Sequence, residues 1–218
     1  MSKEKITGIS ALLGVGFFFG TSAMLAKHLT GVISPYQAVE YRFFIALIIL
    51  IATSVIIKKR ITFQGLDKRL VATYAGAFPL CVIFFTLAIF HSSVALATVS
   101  AYGTTLVSSF VFGRIFLKEK ITLLKAIALV LTFSALIIST DPFGDFQLSS
   151  GLIFGVISGA IQGIANLIQR ILGEQKADRI SLLVLQCAFG AGLALLITLA
   201  NSQSIAPELG ASDWLIML

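Results

Sequence analysis

Two rows of polar side chains interrupt otherwise apolar stretches, and each row has the spacing of one helical face. Ser158, Gln162, Asn166 and Gln169 lie in the stretch from Gly151 to Arg170, and at about 100° per residue they fall within roughly 80° of arc. Thr98, Tyr102, Thr105 and Ser109 follow one another at i, i+4, i+7 and i+11 in a second stretch. Amides and hydroxyls turned toward hydrocarbon cost several kcal/mol each unless paired. Two arrangements satisfy them. One is packing, with bonds between helices or from Ser and Thr back to the i−4 carbonyl; the other is the wall of a cavity filled by water and substrate. Tyr102, well away from the interfacial belt, needs a partner or water for its hydroxyl. The candidate substrate-binding residues are therefore Tyr102, Thr105, Thr98, Ser158, Gln162 and Asn166.

Ionisable groups inside apolar stretches form the second set. Glu40 and Arg42 lie a few residues after Ser34-Pro35, and Lys27 ends the first apolar run. A charge at membrane depth costs a few kcal/mol. The long stems of Lys27 and Arg42 reach headgroups by snorkelling, the favoured expectation for Lys27. Arg42 also suits an anionic group at the outer mouth of a cavity, since its planar fork matches a carboxylate. Glu40 is the one carboxylate well inside a span and so the candidate for proton coupling. Pro79 frees the carbonyl of Ala75 within another apolar run. That marks a kink or an interrupted helix of the transporter type. His91-Ser92-Ser93 is a sequence neighbourhood, not a triad. Cys81 and Cys187 stand alone in apolar runs and read as packing residues. No nucleotide, metal or nucleophile-elbow motif occurs, so no catalytic residue, metal or cofactor is expected.

The elements that must position these groups are membrane helices. Apolar residues make up 57% of the 218 and charged ones 12%, with a mean hydropathy of +0.99, far outside the range of soluble domains. Seven apolar runs of spanning length occupy roughly 6–26, 36–57, 70–90, 94–117, 121–140, 149–172 and 180–200, and an eighth begins at Asp213. The expected fold is an all-α polytopic bundle. The net charge of +6 does not point to nucleic acid, because its placement is topological. If the spans alternate, every Lys and Arg except Lys27 and Arg42 falls on one side, while Asp141, Asp145, Glu208 and Asp213 fall on the other. By the positive-inside rule the N-terminus is cytoplasmic and the protein is a multi-pass component of the cell membrane.

Glycine recurs at every fourth position in Gly151, Gly155, Gly159 and Gly163. Each costs a helix interior roughly 1 kcal/mol against alanine, so the row implies a neighbouring helix at close range. On that face's far side, Ile153, Phe154, Ile157, Ile161, Ile164, Leu167, Ile168 and Ile171 are expected to meet lipid. Shifting the N-terminus by 143 residues lays Gly8 on Gly151, Gly16 on Gly159, Gly20 on Gly163 and Lys27 on Arg170. Five spans separate the two copies, and an odd number reverses direction, as in the inverted repeats of secondary transporters. Residues 1–143 are then a first five-helix repeat, and 144–218 the start of a second, inverted one. A second unit of equal length would run to about residue 286, so the sequence reads as a fragment or natural truncation of a ten-helix protein.

The chain resembles the drug/metabolite transporter superfamily, specifically its ten-helix EamA-like branch. The resemblance rests on Phe19-Gly20 with Lys27, on Arg42-Phe43 following Ser34-Pro35, and on Leu117-Lys118-Glu119. Phe19 stands where the family usually has tryptophan, and Lys118 where it usually has glycine before the glutamate. The resemblance implies movement of small metabolites, often amino-acid export, generally without nucleotide hydrolysis. The partners expected are a small-molecule substrate, the lipid bilayer, and protons through Glu40; a homodimer is compatible with the pattern, and nucleic acid is not expected. The alternative, an integral-membrane enzyme or structural subunit, accounts for the hydrophobicity alone.

Overall fold

The computed structural model describes residues 3–59, 61–118, 123–139 and 149–201. Glu119, the 141–147 connection and the start of an eighth span at Asp213 lie outside them. The described residues form seven helices: α1 (Lys3–His28), α2 (Pro35–Ile56), α3 (Lys68–His91), α4 (Val94–Phe116), α5 (Leu123–Ser139), α6 (Ser150–Glu174) and α7 (Arg179–Ala200). No strand occurs among them. Five, α2, α3, α4, α6 and α7, are long and apolar enough to cross a membrane, fewer than the seven runs counted in the sequence. One reason is that α5 is described over only 17 residues.

Helix starts are set by short polar side chains that satisfy the first free amides. Ser34 accepts from Gln37 N at 3.1 Å while Gln37 Oε1 accepts from Ser34 N at 2.8 Å, and Pro35 holds the first helical position. Ser93, Ser149 and Asp178 accept in the same way from Leu96, Leu152 and Ser181.

The centre of the bundle is α6, lodged between α3 and α4. Its glycine row meets α4 in parallel register. A Cβ on Gly155 would strike Ser100, one on Gly159 the carbonyl of Ala101 and Thr104, and one on Gly163 Ser108. The neighbouring face meets α3 running the other way, with Ser158 against Cys81 and Ala165, Ile168 and Leu172 clustered with Val71 and Tyr74. Because α6 is covered on two sides, the lipid-facing arc is narrower than the sequence suggests. Ile153 and Ile164 are exposed, whereas Ile168 is buried and Phe154 packs against Phe84 and His91.

Helices α2 and α7 pair antiparallel, and the Phe43 ring covers Gly190, where a Cβ would lie 2.7 Å from it. Helix α5 rests on α4, with Thr132 beside Gly103. Helix α1 touches α3 and α4 at its end. Lys27 is turned inward, not toward headgroups: its Nζ donates to the carbonyls of Ile89 (3.0 Å) and Ser92 (2.8 Å). A cation there caps the free carbonyls at the end of α3 and complements the helix dipole. The ends of α1 and α3 are thus together, and the start of α6 meets the same end of α3 at Gly151. Helices α1 and α6 therefore run in opposite directions.

Candidate functional site

The predicted site residues fall into three places. The first is a polar cluster where α3, α4 and α6 converge. Cys81 Sγ donates to Gln162 Oε1 at 2.9 Å, and Gln162 Nε2 donates to Asn166 Oδ1 at 2.9 Å. Ser158, 1% exposed, donates to the Cys81 carbonyl at 2.9 Å. One turn along α3, on the face it shares with Cys81, Phe85 packs its ring against Tyr102 with centroids 6.1 Å apart. Tyr102 and Gln162 thus flank the same face of α3. Tyr102 is 44% exposed, and its hydroxyl has no hydrogen-bond partner among the described residues. It lies about 12 Å below the Val94 end of its helix.

The other members of the α4 row are engaged locally. Thr98 donates to Val94 O at 2.6 Å and Thr105 to Ala101 O at 2.8 Å, the i−4 bonds open to any membrane Thr. The backbone of Thr105 also forms part of the surface against Gly159. The Ser109 hydroxyl is enclosed and has no partner among the described residues.

The second place is a cleft of about 460 Å³ between α1 and α2. Arg42 lines it and donates from Nη2 to Ser22 Oγ. Arg42 and the α3–α4–α6 cluster are separate features of the described chain.

The third place is the α2–α7 interface. Glu40 is 8% exposed and lies beside Thr198, which is fully buried. Neither Glu40 Oε2 nor Thr198 Oγ completes a hydrogen bond of regular geometry. At the other end of the same interface, Lys59 and Asp178 form an ion pair. Thr62 N donates to Ser181 Oγ at 3.1 Å and Asp67 N to Gln175 Oε1 at 3.3 Å. These contacts hold the α2–α3 connection to the end of α6 and the start of α7.

Hydrogen bonding from Lys59 is the main reason Asp178 is held down from 3.8 to about 2, with the Ser181 bonds adding to it. A depressed acid contributes stability above its unfolded value and loses it as pH falls toward its folded value. Wild type and Asp178→Asn, whose amide still caps α7, are therefore expected to differ in thermal midpoint by a constant amount from pH 7 to about pH 4 and to converge toward pH 2. A gap independent of pH down to 2 would show that the ion pair adds nothing.

Sequence reasoning missed Cys81, Phe85, Thr198 and the Lys59–Asp178 pair. A lone cysteine or an apolar-run threonine carries no spacing signal, and Lys59 and Asp178 are far apart in sequence. The i+4 offset of Phe85 from Cys81 was the one readable clue.

The sequence model of the EamA-like transporter family matches residues 6–140. No curated protein matches the chain. Among solved structures, one described in the words "Crystal structure of protein" is similar, with a TM-score of 0.63 and 17% identity, over 90% of this chain and 70% of that one. At that identity the likeness concerns the fold.

Proposed function

The chain belongs to the EamA-like transporter family, and from that premise we propose that it moves small polar metabolites, amino acids or related compounds, across the cell membrane by alternating access. Family members are transporters of the drug/metabolite type, not enzymes. In this reading the two inverted repeats rock about the α2–α7 contact, the N-terminus is cytoplasmic, and Tyr102, Gln162 and Asn166 meet the substrate. Ser158, Thr98 and Thr105 support that wall through their own bonds, and Arg42 draws an anionic group toward the outer mouth.

The observation that carries the site is the Tyr102 hydroxyl: packed beside Phe85, exposed, and without a hydrogen-bond partner among the described residues. A hydroxyl at this depth without a partner is costly, and a substrate carboxylate, amine or water would satisfy it. Tyr102→Phe removes that group alone. Since no protein bond is lost, the thermal midpoint should stay within experimental error. Apparent KM for a labelled amino-acid substrate in proteoliposomes of the full-length protein should rise about tenfold, the equivalent of one hydrogen bond to a charged group. Unchanged KM would remove Tyr102 from the site. Gln162→Leu is a poorer probe, because it also strands Cys81 and Asn166.

A further inference from the structure

Arg42 lies about 10 Å along α2 from Pro35, inside the span, where it lines the cleft of about 460 Å³ between α1 and α2. Its guanidinium is half-buried and is fixed by a neutral contact, Nη2 donating to Ser22 Oγ. Among the described residues no carboxylate stands within ion-pair distance of it. Glu40 is close in sequence but at i−2 it leaves α2 on another side, toward Thr198 of α7. A cation at this depth without a counter-charge is costly, and an anion entering the cleft offsets that cost.

The rest of the cleft selects what accompanies the charge. Apart from Arg42, Ser22 and Thr21 its lining is apolar, and Thr21 already donates to the Phe17 carbonyl at 2.9 Å. Buried Ala26, Leu29 and Ala38 close one end, whereas Phe18 and Ile49, 73% and 57% exposed, leave the other open. Ile45 lies between Arg42 and Ile49, about one turn from each. The volume is in the lower part of the range of small-molecule sites, roughly 300–1,000 Å³, which suits one short chain and not a two-tailed lipid.

We propose that the α1–α2 cleft binds a single-chain alkyl carboxylate, with its two oxygens on the Arg42 fork and its chain running past Ile45 toward the Phe18–Ile49 opening. The planar guanidinium pairs with a carboxylate through two parallel bonds, and the apolar walls take the chain out of competition with water. Arg42 draws an anion in the transport reading too; here that anion acquires a chemical class. Its binding can be measured without transport, so this site and the Tyr102 site can fail separately.

The test is a titration of the 218-residue chain in phosphatidylcholine nanodiscs with decanoate, at about pH 8 so that the carboxylate is ionised, followed as thermal midpoint. The midpoint is expected to rise saturably. Methyl decanoate, with the same chain and no charge, should not raise it, and acetate, with the charge and no chain, should need roughly a hundredfold higher concentration. Arg42→Gln, which removes the fork, and Ile45→Trp, which fills the cleft and keeps the charge, should each weaken half-saturation by about tenfold or more. Arg42→Lys should weaken it less, and Lys68→Gln, outside the cleft, should leave it unchanged. Equal response to methyl decanoate, unchanged half-saturation in either Arg42→Gln or Ile45→Trp, or equal weakening by Lys68→Gln overturns the proposal. So does tighter binding of decyl phosphate than of decanoate, which would make this a phosphate site.

Discussion

Replacing Gly159 by leucine is expected to leave little or no folded chain. A Cβ at that position would stand 2.7 Å from Thr104 Cβ and 2.9 Å from Thr105 N, with the Ala101 carbonyl closer still. Two of those three obstacles are backbone, so no rotamer change relieves them. The helices must separate, and separation undoes the packing of α4 on α6, the contact around which the bundle is built. Overpacking alone costs about 1–3 kcal/mol and more where backbone is struck. Losing a helix interface adds to it, against a total stability on the order of 5–15 kcal/mol. Gly16, which occupies the matching position of the N-terminal copy, has nothing within 4 Å of its would-be Cβ. Gly16→Leu should therefore be neutral or slightly stabilising, since leucine exceeds glycine in helix propensity by roughly 0.8 kcal/mol. Detergent-solubilised variants compared by size-exclusion profile and thermal midpoint decide the matter. Equal tolerance of both substitutions would contradict the register of α4 on α6.

That contrast also marks how far the sequence could be read. Helix boundaries were legible to within a few residues, because apolar runs and Ser, Asp and Pro punctuation are local properties. The glycine row announced a close neighbour but not which one, since small residues permit contact without selecting a partner; the choice of α4 rests on Ser100, Thr104 and Ser108, whose small side chains leave room for it. Lys27 departs from its sequence expectation for a related reason. Its stem length allows snorkelling or inward capping, and only the position of the Ile89 and Ser92 carbonyls decides. Phe154 and Ile168 were placed toward lipid because a single helix shows one polar face, whereas α6 has neighbours on two sides. In the candidate site, spacing found Tyr102 and Gln162 separately. What joins them is α3, through Cys81 and Phe85, and neither residue type announces such a role.

On the proposal that Glu40 carries the coupling proton, Glu40→Gln is expected to abolish proton-driven accumulation while leaving the fold intact. The carboxyl group is buried between α2 and α7 with Thr198 as its neighbour, and α2 and α7 begin at Pro35 and Arg179, within one residue of the offset of the proposed repeat. If the repeats rock about this contact, opening the interface at the Glu40 end brings water to the carboxyl group and closing it removes that water. A group whose protonation follows the conformation couples a proton to each cycle. Glutamine preserves shape and can donate to the Thr198 hydroxyl, which now lacks a partner, so the thermal midpoint should change little. It fixes the site in the neutral form, and no proton can then be carried. One pH unit is worth about 1.4 kcal/mol, so one proton per substrate supports at most about tenfold accumulation. Proteoliposomes of the full-length protein under a one-unit gradient should approach that ratio with wild type and stay near unity with Glu40→Gln, while exchange of labelled for unlabelled substrate at equal pH continues in both. Glu40→Asp, which keeps the titrating group on a shorter stem, should restore part of the accumulation. Gradient-driven accumulation that survives in Glu40→Gln would move the coupling site elsewhere, and loss of exchange along with accumulation would make Glu40 a structural or substrate residue.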